Sequence, residues 1–180
     1  LVAGIEKEEG PVSILVNNAG MHIKKPAEAT TPGEFQQVLD VHLLGAHALT
    51  SAAGKGMLER GSGSVLFIAS MASLFGIPQV VAYSAAKAAF LGVVRTLATE
   101  WGPSGVRVNA IAPGWIDSAM MRKALDPDPP RKAKILGRTP LARFGEARDI
   151  GLAATYLASP AAQFVTGVCL PVDGGASIGF

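Results

Sequence analysis

An α/β domain, with a parallel sheet covered by helices on both faces, is predicted from three features of the sequence. Short runs of Val, Ile and Leu bounded by Gly, Ser or Asn alternate with longer helical stretches. Three of the strand-like runs are continuously apolar rather than alternating, which suits strands buried on both faces. The order reads helix, strand, helix, strand, helix, strand, insert, helix, strand, a pattern that implies right-handed crossovers between parallel strands. With 180 residues, 49% of them hydrophobic and 17% charged, the chain is expected to form one domain over residues 1–180. That composition excludes a disordered tail or a coiled coil.

The opening Leu1–Glu9 reads as the tail of a helix closed by Gly10, and Ser13–Asn17 as a buried strand. Thr31-Pro32-Gly33-Glu34 supplies a cap, a proline at the first helical position and a glutamate three residues after the cap. A helix is predicted from there to about Glu59. Strand Ser64–Ala69 follows, then a helix from about Val80 to Glu100, stopped by Trp101-Gly102-Pro103-Ser104-Gly105. Val106–Ile111 is the third strand. Residues 115–145, with Asp126-Pro127-Asp128-Pro129-Pro130 in their middle, read as an irregular insert. A helix over Ala147–Ala158 and a strand over Val168–Val172 close the chain. The last strand is placed at an edge, because Pro171 cannot donate to a ladder.

Sixteen basic against fourteen acidic residues leave a net charge of +2, and the cations are scattered, so nucleic acid is not expected as a partner. No apolar run approaches the ~20 residues that cross a bilayer, so no membrane partner is expected either. The single cysteine, Cys169, rules out an internal disulfide and agrees with a reducing, cytoplasmic compartment. No metal-ligating set is read.

In open parallel sheets ligands bind beyond the carboxyl ends of the strands. Those ends carry Asn17-Asn18-Ala19-Gly20, Ser70 and Pro113-Gly114. Tyr83 and Lys87, four apart on a predicted helix, share one face about 6 Å apart along the axis. A phenol is a poor acid–base group at neutral pH, and a neighbouring ammonium favours its ionised form. With Ser70 to hydrogen-bond a substrate oxygen, these residues make a proton donor, its tuner and an orienting hydroxyl.

Asn17-Asn18-Ala19-Gly20, Ser70, Tyr83-Ser84-Ala85-Ala86-Lys87 and Asn109-Ala110-Ile111-Ala112-Pro113-Gly114 resemble the short-chain dehydrogenase/reductase family. The ending Phe164-Val165-Thr166-Gly167 through Val172-Asp173-Gly174-Gly175 is similar to it too. The resemblance implies a Rossmann-like doubly wound sheet, NAD or NADP as cofactor, and reversible hydride transfer between a secondary alcohol and a ketone. It assigns Tyr83 as general acid/base, Lys87 as the group that lowers its pKa and holds the nicotinamide ribose, and Ser70 as the carbonyl anchor. Asn18, Ala19 and Gly20 resemble the turn beneath the adenosine side of the cofactor, while Asn17 is read as a structural tie between strands. Pro113, Gly114 and Ile116 match the loop facing the carboxamide, and Ser118 stands where the family usually has Thr. A homotetramer built on the two long helices and the final helix and strand is also implied.

The sequence departs from the family pattern in two places. His42 occupies the position of an asparagine whose backbone carbonyl extends a proton relay; it still offers that carbonyl, and its imidazole is a second candidate for the relay. The glycine-rich pyrophosphate turn and the residue that separates NAD from NADP have no counterpart, so the chain is expected to be the C-terminal part of a longer enzyme. Strand 13–17 would then be a sheet edge.

Residues 115–145 are expected to form the substrate loop. Its Arg122, Lys123, Arg131, Lys132, Lys134, Arg138 and Arg143 are candidates to hold an anionic small molecule, though a solvated face is the commoner role for any one of them. His22, Lys24 and Lys25 are read as a solvated loop near the entrance. The stretch 131–140 and the ending 173–180 resemble the gluconate 5-dehydrogenase branch, which implies a sugar-acid substrate such as gluconate/5-ketogluconate. The alternatives are a 3-oxoacyl-carrier-protein reductase and, from another class, a catalytically silent scaffold or interaction subunit. Retention of Ser70, Tyr83 and Lys87 argues against the last.

Overall fold

The computed structural model describes residues 1–118, 121, 122 and 125–178. Four strands, β1 (Ile14–Asn17), β2 (Gly63–Ile68), β3 (Val106–Pro113) and β4 (Cys169–Val172), pair in parallel in the spatial order β1-β2-β3-β4. In register, Leu15 lies beside Val65, Val65 beside Val108, and Ile111 beside Leu170. Among the described residues β1 and β4 are both edges, and Ile14 and Val16 of β1 are 50% and 44% exposed.

The continuous apolar runs are explained by the period-2 pleat. Val65, Phe67, Val106, Val108 and Ala110 point to one face, where they pack with Ala53 and Met57 of α3 (Gly45–Arg60) and Phe90 and Val94 of α4 (Val81–Trp101). Leu66, Ile68 and Ile111 point to the other, against Ile150 and Leu157 of α6 (Ala147–Ala158). Neither face of the central strands meets water. The Phe67 and Phe90 rings lie 5.1 Å apart, and burying each contributes about 1.5–3 kcal/mol. Arg107 and Asn109 are the polar residues of β3, and Asn109 Nδ2 donates to the Val165 carbonyl (2.9 Å). The Arg107 guanidinium donates to the carbonyls of Leu157 (2.6 Å), Ser159 (3.3 Å) and also Val165 (3.4 Å), closing the carboxyl end of α6.

Helix α1 (Val2–Glu9) opens the chain and α2 (Pro32–Leu39) starts on the expected capping box, with Glu34 N–H donating to Thr31 Oγ1 and Thr31 N–H to Glu34 Oε2. The single helix expected to about Glu59 is interrupted. Residues Asp40–Leu44 form a π-helical segment between α2 and α3, and His42 sits inside it. The insert is not wholly irregular either. Asp128, placed in the middle of the irregular stretch, accepts from Arg131 N–H as an N-cap, and Pro129 and Pro130 begin α5 (Pro129–Arg138).

Helix α4 corrects another expectation. Val81–Ser104 is long and apolar enough, by length and composition alone, to cross a membrane. Lys87, Arg95 and Glu100 break it into shorter apolar runs, which is why no such span stood out in the sequence. Here it packs between the sheet and α2, with Ala82 and Ala86 against Val38.

Candidate active site

At the carboxyl end of β2 the chain turns outward at Ser70, whose Oγ accepts from Ala72 N–H (3.1 Å) and so caps the turn Met71–Ser73. Ser73 Oγ donates to the Lys87 carbonyl (2.7 Å), tying this turn to α4. One helical turn apart on α4, Tyr83 and Lys87 face the same space. Lys87 is only 4% exposed; its Nζ donates to the Ile68 carbonyl (2.5 Å) and lies 5.6 Å from the Tyr83 ring centroid. Burial pushes its pKa down to about 8.

Opposite lies the carboxyl end of β1. Asn17 Nδ2 donates to Thr50 Oγ1 of α3 (2.9 Å), so this residue ties strand to helix and not strand to strand, as expected from sequence. His42 is 1% exposed, edge-on to Tyr83 with ring centroids 5.5 Å apart. Its Nε2 meets both the Met21 carbonyl (2.7 Å) and the Met21 N–H (3.1 Å), while its Nδ1 is buried without a partner. Burial lowers its pKa, so the ring is neutral at pH 7. Gly20 is required beneath it, since a Cβ there would lie 2.4 Å from His42 Cε1.

These groups converge on a cavity of about 270 Å³ whose wall includes Asn18, Gly20, His42, Ser70, Tyr83, Lys87, Pro113 and Gly114. Ala19 and Ser118 are exposed and outside that wall, and Ser118 Oγ accepts from Met121 N–H instead. Ile116 lines an adjoining cavity of about 530 Å³, which shares Gly114. The larger space holds none of Ser70, Tyr83 or Lys87, so volume is a poor guide and the smaller cavity is the candidate site.

The Tyr83 phenol departs from expectation. Burial raises its pKa, and the Ser70 hydroxyl, the one opposing influence, pulls it back down. The Lys87 ammonium is not among the groups that shift it: its hydrogen bond goes to the Ile68 carbonyl.

A protein family described as enoyl-(acyl carrier protein) reductase matches residues 1–177 of the chain. The chain belongs to the short-chain dehydrogenase/reductase family. It is 45% identical over 168 residues to the 2-dehydro-3-deoxy-D-gluconate 5-dehydrogenase of Bacillus subtilis, covering 93% of this chain and 66% of that protein. It is 40% identical to the inactive 2-(S)-hydroxypropyl-CoM dehydrogenase 2 of Xanthobacter autotrophicus, covering 97% of this chain and 77% of that one. The fold superposes at a TM-score of 0.95 on a gluconate 5-dehydrogenase from Burkholderia cenocepacia in complex with NADP and tartrate, at 31% identity, over 99% of this chain and 70% of the other. The chain thus spans about two thirds of the length of several curated relatives it matches.

Within this short-chain dehydrogenase/reductase framework, most of the insert's cations have partners of their own. Arg122 pairs with Asp117, Lys132 with Asp126 and Arg143 with Asp149, and Arg138 lies 4.5 Å over the Phe75 ring. Lys123 lies outside the described residues. The 20–25 turn is where sequence reasoning undervalued a residue. His22 lines the cavity that holds Ser70, Tyr83 and Lys87, edge-on to Tyr83 at 6.3 Å, and its only sequence signal was its place two residues past Gly20.

Proposed function

We propose that the chain carries the catalytic face of an NAD- or NADP-dependent oxidoreductase that interconverts a secondary alcohol and a ketone on a sugar acid such as gluconate/5-ketogluconate. The observation that carries this reading is Lys87: a buried ammonium with three N–H donors and a single hydrogen-bond acceptor among the described residues, beside Tyr83 and Ser70 in one cavity. Two donors remain for the hydroxyls of a nicotinamide ribose, and Pro113 and Gly114 form the wall beside them. When bound, the nicotinamide gives or takes the hydride at the carbonyl carbon.

The residues of this chain handle the oxygen. Ser70 Oγ donates to the carbonyl oxygen and holds it near Tyr83. The Tyr83 phenol gives that oxygen its proton in reduction and removes it in oxidation. Because burial keeps the phenol protonated at neutral pH, reduction runs without prior deprotonation, whereas oxidation gains as pH rises. Residues 115–145 are the substrate loop in this reading, and residues 1–180 act as one domain.

A homotetramer and a cytoplasmic setting belong to the same proposal, supported by exposed Leu152, Tyr156 and Val168 near β4 and by the free thiol of Cys169. The sugar-acid substrate is supported by the names of the relatives. Tyr83→Phe in the intact enzyme should lower kcat at least ~100-fold and leave cofactor affinity little changed. Near-normal turnover in stopped assays of NAD(P)H oxidation would reject the assignment.

A further inference from the structure

We infer that His22 is a specificity residue that receives the substrate's carboxylate, an inference that rests on the sugar-acid reading above. The turn that carries it is pinned on both sides. Upstream, the Met21 backbone is held by His42 Nε2. Downstream, Lys25 N–H donates to the Gln79 carbonyl (2.9 Å) and Lys25 Nζ to Glu34 Oε1 (2.8 Å). Gln79 holds that position at φ 68, a left-handed conformation that residues with a side chain rarely adopt.

Between these anchors His22 is exposed, lines the catalytic cavity, and sits edge-on to Tyr83 with ring centroids 6.3 Å apart. Its ring has no hydrogen-bond partner among the described residues. A chain whose carbonyl oxygen rests on Tyr83 and Ser70 therefore reaches the imidazole a few atoms further along. The cavity suits an anion: among the described residues its wall carries the Lys87 ammonium and no Asp or Glu, and the His22 imidazole has an N–H to donate. The neighbouring cations do not compete, because Lys25 is committed to Glu34 and Lys24 is exposed outside the wall.

The test compares 5-ketogluconate with L-sorbose, which carries CH2OH in place of the carboxylate, in the intact enzyme with NADPH or NADH. In His22→Ala, KM for 5-ketogluconate should rise on the order of tenfold while kcat falls far less, since a contact made equally in ground and transition states moves KM alone. KM for L-sorbose should move less than about twofold, because no charge-assisted bond is lost. His22→Gln, which keeps an N–H donor, should recover part of the loss, and Lys24→Ala should leave both constants in place. An unchanged KM for 5-ketogluconate, an equal rise for both ketones, or an equal rise in Lys24→Ala would overturn the assignment of His22 alone. A wild-type enzyme that reduces L-sorbose as efficiently as 5-ketogluconate, or neither, would instead overturn the sugar-acid reading, and the carboxylate contact with it.

Discussion

The wall of the cavity formed by α4 and the turn that faces it are held in place by opposite means. Lys87 and Phe90 of α4 are buried, and the helix is fixed by apolar packing against β2, β3 and α2. The turn from Asn18 to Lys25 is largely exposed and, apart from Ile23 packed against the Val38, Ala82 and Ala86 cluster, is fixed by a few polar contacts: one imidazole nitrogen on Met21, one backbone bond to Gln79 and one ion pair to Glu34. Packing is spread over many small contributions, whereas a polar tether is lost with one side chain. The α4 wall should therefore set the chemistry and tolerate little change of charge, and the turn should set what the site accepts.

The largest expected effect tests the buried wall. In the folded protein the Lys87 pKa lies at about 8, below its ordinary value of 10.5, so between those values the unfolded chain binds more protons and stability rises with pH. Below pH 8 the buried ammonium costs up to about 3 kcal/mol at ~1.4 kcal/mol per pKa unit, less what its bond to Ile68 returns. Lys87→Met should abolish turnover yet raise stability at pH 7, and chemical denaturation should show that gain shrinking toward pH 10. A gain over the wild type no larger at pH 7 than at pH 10 would mean that the ammonium is hydrated in its niche.

A smaller effect tests the opposite wall. Gly20→Ala drives a methyl group into the His42 ring and should cost about 1–3 kcal/mol, the usual scale of overpacking. His42→Asn should keep activity within about tenfold, or ~1.4 kcal/mol, because an amide can answer both the Met21 N–H and the Met21 carbonyl, which one ring nitrogen cannot do at once. The double variant should recover much of the Gly20→Ala loss, measured by thermal denaturation and kcat/KM. Strictly additive losses would show that the clash is relieved elsewhere.

The same contrast explains what could be read from the sequence. The strands were legible because Val65-Leu66-Phe67-Ile68 has one face toward α4 and the other toward α6, leaving no polar alternation. Tyr83 and Lys87 were legible because helical spacing alone brings them to one face. The π-helical segment was not, since one extra residue in a turn leaves no mark in the apolar pattern around His42. Helix α5 was hidden because Asp-Pro-Pro signals a breaker and a helix start equally well. His22 was hidden because its position depends on Glu34 and Gln79, which belong to other elements.

The Arg107 fork carries a consequence for the order of assembly. Its acceptors lie 50 to 58 residues further along the chain, so the carboxyl end of α6 stays open until β3 is in the sheet. The last turn of α6, the bend at 159–165 and β4 are thereby joined into one late-forming unit. In native-state hydrogen exchange the amides of Tyr156 to Ala158 should open together with those of β4 and apart from the first turns of α6. Exchange of α6 as a single block would show that Arg107 follows its assembly instead of completing it.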